Sequence, residues 1–182
     1  KVTSFRECFN GCSALVTLPA GLFSACKAVT TFRSCFEGCS KLASIPEGLF
    51  ANNPAVTDFF GTFKWCALKE VPANTFENCT KVTGFGQIFY ACSALETVPV
   101  SIFDDCLNVT TFSFAFSGTK LKGESPYTLI DGKKVHLYER NSYLSHFSEV
   151  STYQNCFSGC TGLSDYDAIA VSYTHLTLPT IA

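Results

Sequence analysis

The sequence predicts an α/β solenoid, a stack of about six 27-residue coils with short parallel strands and helical turns. Three observations predict it. A Val-Thr-x-Phe group recurs at Val2, Val29, Val56, Val82 and Val109, at intervals of 27, 27, 26 and 27, and again after 41 residues in the degenerate copy Val150-Ser151-Thr152-Tyr153. Other apolar columns keep the same step, so one supersecondary unit repeats along the chain. Finally, each unit divides into two halves, and neither half can bury its apolar face without a stacked neighbour.

The columns justify the elements in turn. Phe5, Phe32, Phe59, Phe85, Phe112 and Tyr153 form the first. Phe9, Phe36, Phe63, Phe89, Phe116 and Phe157 form the second, and Phe23, Phe50, Phe76 and Phe103 the third. Leu15, Leu42, Leu68, Leu95, Leu121 and Leu163 precede Leu18, Ile45, Val71 and Val98, each followed by Pro19, Pro46, Pro72 or Pro99. In the unit from Val29 to Ala55, the β-branched Val29-Thr30-Thr31 favours extension. Pro46 confines the residue before it to extended geometry. Gly38 and Gly48 stand where the chain must turn sharply. Each half therefore reads as a short extended segment followed by one helical turn.

The combination CFxGCSxLxxIPxGLF, from Cys35 to Phe50, resembles the leucine-rich repeats of BspA-type bacterial surface proteins. The resemblance covers Lys1 to about Leu121 and returns from Val150 to about Asp167. The 27-residue unit with its doubled half-repeat is longer than the common unit of that family. The resemblance implies a leucine-rich-repeat-like coil, a secreted or cell-surface location, and adhesion to host or matrix protein or glycan.

The eleven cysteines fall into three columns. Cys8, Cys35 and Cys156 are replaced by Thr62, Ile88 and Ala115 in the other copies. Cys12, Cys39, Cys66, Cys92 and Cys160 are replaced once, by Thr119, while Cys26, Cys79 and Cys106 share their column with Asn53. A metal site or disulfide would lose its purpose where a partner became Ile or Ala. Cysteine that alternates with Thr, Ala and Ile behaves as a small buried hydrophobe with a weak donor. The second and third columns are therefore expected to form a structural ladder, with Asn53 or its Cys equivalents satisfying carbonyls inside the coil. Zinc held by the CxxxC pairs and disulfides between copies are the competing readings; three intervening residues without His suit zinc poorly.

Between Leu121 and Val150 the grammar is interrupted. The 41-residue step exceeds the ordinary unit by 14 residues. Tyr127 to Ile130 and Lys133 to Tyr138 flank Asp131-Gly132, the strongest short hairpin signal. The expected organisation is an array over 1–124, a hairpin insertion over 125–149 that breaks the stack, and a last partial repeat over 150–169. The insertion gathers Lys133, Lys134, His136, Tyr138, Arg140 and Tyr143, candidate contacts for a partner because exposed Tyr and Arg are typical anchors. Local decoration of the fold is the plainer reading of the same residues.

Composition narrows function further. With 47% hydrophobic residues the chain is no disordered segment, and a formal charge of −2 offers no basic stripe for nucleic acid. No apolar run is long enough to span a bilayer as a helix. His136 and His146 lie in the insertion and His175 in the tail, no GxSxG or phosphate-cradling glycine loop occurs, and Asp165-Tyr166-Asp167 is too few carboxylates for calcium. No catalytic residue, cofactor or metal is assigned. The threonine column Thr3, Thr30, Thr57, Thr83 and Thr110 is expected to serve the strand, since the column beside it is too irregular to match an ice lattice. Two functions remain open: a non-catalytic adhesion or binding module, and an architectural spacer carrying another domain away from the cell.

From Ala170 the repeat grammar stops. Val171 to Thr180, VSYTHLTLPT, resembles the in-frame translation of a transposase-based sequencing adapter, so 170–182 is expected to be non-native. With Lys1 opening in mid-array and no Met anywhere in the chain, the expectation is a fragment of a longer protein.

Overall fold

The computed structural model describes residues 1–169; the tail over 170–182 lies outside the described residues. Successive copies are joined by parallel backbone bridges, Ser4 to Thr31, Thr31 to Asp58, Asp58 to Gly84, Gly84 to Thr111 and Thr111 to Thr152. A second parallel ladder runs along the other half-repeat. Glu70 bridges Thr97, and β1 (Lys122–Gly123) pairs with β4 (Gly162–Leu163) in parallel register. The chain is thus similar in plan to a leucine-rich-repeat stack, although most rungs are single bridges rather than continuous strands.

The helical turns expected after each extended segment are replaced by a different local structure. In the first coil, the N–H groups of Phe5, Glu7, Phe9 and Gly11 donate to Thr31, Arg33, Cys35 and Glu37 of the next coil. Those of Cys8, Asn10 and Cys12 turn inward to the carbonyls three residues back. Such alternation forbids an α-helix, whose N–H groups all stay within the segment. It is made possible by two left-handed residues, four apart, in every copy: Glu7/Gly11, Ser34/Gly38, Gly61/Trp65, Gln87/Ala91, Phe114/Gly118 and Asn155/Gly159. A left-handed third residue is the signature of a type II turn. Gly38 (φ 75°) and Gly48 (φ 59°) do stand at sharp left-handed turns.

Side chains complete the turn. Ser4, Thr31, Asp58, Thr111 and Thr152 each accept, through a side-chain oxygen, the N–H two residues on. This local bond favours turns over helix.

The core is built from the three Phe columns. Rings of the first column lie 5.6–6.1 Å apart and within 12° of parallel from Phe5 to Tyr153. The third column interleaves with it at a tilt: Phe50 lies 4.6 Å from Phe32 and 4.7 Å from Phe59. Offset-parallel stacking along the axis and tilted contact across it are the arrangements the ring quadrupole prefers. The first coil has a neighbour on one side only among the described residues. Its Phe5, Phe9, Leu15 and Leu18 are accordingly only partly buried.

The insertion does not break the stack. Phe112, Phe114, Phe116 and Gly118 donate directly to Thr152, Gln154, Cys156 and Ser158, so the ladder bypasses the inserted residues. The extra chain bulges out sideways, as longer loops in a stack can do at small cost. It holds β2 (Tyr127–Ile130) and β3 (Lys133–His136), antiparallel around Asp131 and Gly132, both with positive φ, followed by a 3-10 helix over Leu137–Ser142. Asn141 then sutures the bulge to the next copy, donating from Nδ2 to the Val150 carbonyl and accepting the Val150 N–H.

Candidate functional site

The residues expected to meet a partner separate into two groups. Lys133 and Lys134 are exposed, and Tyr138 and Tyr143 are half-buried. Lys134 is held at 2.7 Å by Glu124, with its ammonium 4.7 Å from the Tyr127 ring. His136 and Arg140 are buried, which corrects their placement as contact residues.

Arg140 is fully enclosed. Its Nη1 donates to the Cys106 carbonyl at 2.8 Å and its Nη2 to the Phe103 carbonyl at 3.2 Å. The guanidinium lies 4.4 Å from the Phe147 ring. Burial lowers its pKa to about 10, so it remains a cation at neutral pH. In the second coil the same job falls to Asn53, whose Nδ2 donates to Phe23 and Cys26, the equivalents of Phe103 and Cys106. Arg140 therefore supplies from the insertion the donor that the regular column no longer provides.

Thiols perform related work. Cys39, Cys66, Cys92 and Cys160 donate to the carbonyls of Phe9, Phe36, Phe63 and Phe116 at 3.0–3.2 Å, each in the preceding copy. Thr119, in the same column, donates instead to Phe116 of its own copy and lies 3.2 Å from the Cys160 sulfur. Cys79 points to Phe50 at a looser 3.8 Å. The cysteines are thiols rather than disulfides, and burial pushes the Cys79 and Cys92 thiols up to about 12. Cys12 and Cys26, in the end coil, are exposed and half-buried respectively, whereas Cys106 is buried beside Arg140.

The threonine column aims its hydroxyls along the ladder, at the outer surface of the stack. Thr30, Thr57, Thr83 and Thr110 each donate to the carbonyl of the threonine before them, at 3.1–3.2 Å.

Sequence reasoning missed a polar cluster under the hairpin. Ser125 Oγ lies 2.5 Å from Asp165 Oδ2 and 2.9 Å from His136 Nδ1, and Nε2 of His136 faces Glu124 at 3.5 Å. The residue types invite comparison with a hydrolase triad, but the wiring is wrong. The one serine hydrogen goes to the carboxylate, so the imidazole must donate to the serine rather than take its proton. A nucleophile requires the reverse, with the acid behind the base. Ser125 is moreover wholly buried, out of reach of a substrate. The cluster pins β3 to the last copy. Ser125 and Asp165 lie 40 residues apart, and nothing in their local sequence signals the meeting.

The outer edge of the stack carries the other missed feature. Trp65 is left-handed (φ 61°) and 50% exposed, in the column that holds glycine at 11, 38, 118 and 159. A bulky left-handed residue costs roughly 1 kcal/mol, and half-exposure recovers little of that. Phe114, also left-handed (φ 56°), occupies the other such column. Tyr90 stands between them, edge-on to Trp65 at 6.4 Å and to Phe114 at 6.1 Å. The Lys64 ammonium rests 4.1 Å from the Trp65 ring and 5.5 Å from Tyr90, with Glu37 at 3.6 Å. Nearby, Arg33 covers Phe60 at 4.4 Å and pairs with Asp58 at 2.9 Å. The departure of Trp65 from its glycine column was legible in the sequence; its exposure was not.

With this geometry in view, the chain is similar to solved leucine-rich-repeat structures. A leucine-rich repeat protein from Bacteroides ovatus aligns at 24% identity over 70% of this chain and 36% of its own, with a TM-score of 0.41. The Toll–Spätzle complex of Drosophila aligns at 18% identity over 82% of this chain and 24% of its own, with a TM-score of 0.34. The chain thus spans about a third or less of the length of these proteins. No protein-family model matches it, and no curated protein does. Among the described residues no helix is long and apolar enough to cross a membrane.

Proposed function

We propose that the chain is a non-catalytic, BspA-like binding module of about six stacked coils, displayed at a cell surface and recognising protein or glycan. The observation that carries this reading is the division of labour within each coil. Inward columns repeat the same Phe, Leu and Cys in copy after copy, which fixes a rigid stack. Outward positions such as Ala43-Ser44, Lys69-Glu70 and Glu96-Thr97 differ each time, and Trp65 departs from a column that is mostly glycine. Rigid scaffolds with varied ordered surfaces suit recognition, since little ordering entropy is lost on binding. The Ser125–His136–Asp165 wiring supports the absence of catalysis. Exposed Lys133 and Leu129 keep the hairpin among the contact surfaces of this reading, whereas His136 and Arg140 serve the fold.

The test is an array of matrix proteins and glycans probed with the full chain. Saturable binding to at least one component is expected. Because Arg140 is a core residue, the hairpin is tested by Lys133→Ala with Leu129→Ala rather than by deletion. Failure to bind any component would leave the architectural spacer as the better account.

A further inference from the structure

We propose that Trp65, Tyr90 and Phe114, steadied by Lys64, form a binding file for a neutral, linear carbohydrate chain lying along the stack axis. The inference rests on the binding-module reading and names its site and ligand class.

Four observations carry it. First, the three rings belong to three consecutive copies and touch edge to face at 6.4 and 6.1 Å, giving one aromatic per coil. A ligand built of repeated units along the axis meets a ring at each step. Second, two of the three rings stand on left-handed backbone, in columns where other copies carry small or polar residues. Strain of this kind, unexplained by packing, points to a role outside the fold. Third, the neighbouring cations are matched on the spot: Lys64 by Glu37 at 3.6 Å and Arg33 by Asp58 at 2.9 Å. No unbalanced charge is offered to a nucleic acid or an acidic peptide. Fourth, little apolar surface accompanies the file. Among the described residues the other large hydrophobics exposed to solvent are Val2, Val16, Leu107, Leu129 and Leu144, each in another segment of the chain, and the nearby Phe60 is capped by Arg33, so no broad apolar core for a protein interface is offered.

Sugar rings present faces of weakly positive C–H groups, which match the negative face of an aromatic ring. Their equatorial hydroxyls can be met by Lys64 and Glu37, which lie against the file. The ammonium over Trp65 fixes the indole in place, so its orientation is set before a ligand arrives.

Trp65 is the chain's single tryptophan, and its fluorescence reports on this site alone. The full chain is titrated with linear hexasaccharides of β-1,4-glucose and β-1,4-N-acetylglucosamine, followed by fluorescence and, independently, by affinity electrophoresis in the corresponding soluble polysaccharides. A saturable spectral change with at least one is expected, unaltered between about 0.05 and 0.5 M salt. Trp65→Gly restores the residue usual in its column and is expected to melt no lower than the parent while binding about tenfold or more weakly, a loss that Tyr90→Ala should share. No saturable response, a response suppressed by salt, or unchanged retardation of Trp65→Gly would each overturn the proposal. So would a parent dimer that Trp65→Gly dissociates, because the file would then be a contact between copies. If a component of the protein and glycan array binds the parent and both variants equally, only this assignment falls. If nothing on the array binds at all, the module reading falls with it.

Discussion

Replacing Phe50 by alanine tests the interleaved core most directly. Phe50 is completely buried and touches five rings: Phe23 at 6.0 Å, Phe32 at 4.6 Å, Phe59 at 4.7 Å, Phe63 at 6.1 Å and Phe76 at 6.0 Å. Truncating a buried Phe ordinarily costs about 3–5 kcal/mol. The upper part of that range is expected here, because the surrounding rings sit on backbones tied by the parallel ladder and cannot collapse into the hole. Phe5 is the control. It lies in the end coil, is only partly buried, and meets two rings, Phe23 and Phe32. Phe5→Ala should cost roughly 1–2 kcal/mol, since less apolar area leaves water in the first place. Urea unfolding followed by Trp65 fluorescence and by far-UV dichroism gives both numbers. In a stack held by neighbour contacts only, Phe50→Ala should also separate the two probes, as the coils on either side lose their coupling. Should Phe50→Ala leave no folded baseline, Phe50→Leu, expected to cost about 1–2 kcal/mol, keeps the comparison measurable. Equal losses at Phe5 and Phe50 would refute the interleaved core.

Other outcomes follow from the ladders. Native thiol labelling should modify Cys8 and Cys12 quickly and Cys26 more slowly, leaving the eight buried cysteines until the chain unfolds, which mass spectrometry resolves. Since burial raises Cys79 and Cys92 from 9 to about 12, the folded state holds these protons where the unfolded state has released them. Stability is therefore whole below pH 9 and falls by about 1.4 kcal/mol per pH unit per thiol above it, measurable by urea titration up to pH 10.5 or so against serine variants. Asn53→Ala should cost about 1–2 kcal/mol, because the Phe23 and Cys26 carbonyls each keep one backbone partner, whereas Asn53→Cys, the residue usual in that column, should be close to neutral. Gly86→Ala would put a Cβ 2.9 Å from the Phe60 ring and should cost about 1–3 kcal/mol in thermal melts, a loss that Phe60→Ala in the same chain largely removes.

Much of the stack was legible in the sequence because a solenoid repeats its packing problem. Six solutions to one inward position expose the rule that a single copy hides, and Cys alternating with Asn, Thr or Ala already spoke of a small donor facing carbonyls. The turns were misread as helical for a physical reason. Spacing of three and four residues places side chains on one face in a helix, but it does so equally in a run of type II turns, and left-handed residues such as Glu7, Ser34, Gln87, Phe114 and Asn155 distinguish them. Non-glycine residues carry no visible mark of that conformation. The outer face was less legible still, since its columns admit many residue types and a departure such as Trp65 does not say whether the side chain is exposed.

Arg140 shows most clearly what a one-copy reading lacks. By residue type it belongs on a surface, and an insertion rich in Lys, Tyr and His encourages that assignment. Its position is decided instead by a vacancy in the neighbouring coil: Phe103 and Cys106 present the counterparts of the Phe23 and Cys26 carbonyls that Asn53 serves three coils earlier, and the regular column has moved away into the hairpin. Cysteine is too short to reach back across the bulge. A side chain long enough to do so, with paired donors, is arginine, at the cost of burying a charge. The cost is lowered by the Phe147 and Phe112 rings, whose faces lie 4.4 and 5.4 Å from the guanidinium. Arg140→Lys is accordingly not conservative here. One ammonium cannot match the two carbonyls with a planar fork, so its stability should approach that of Arg140→Met, and a lysine variant as stable as the parent would sink this account.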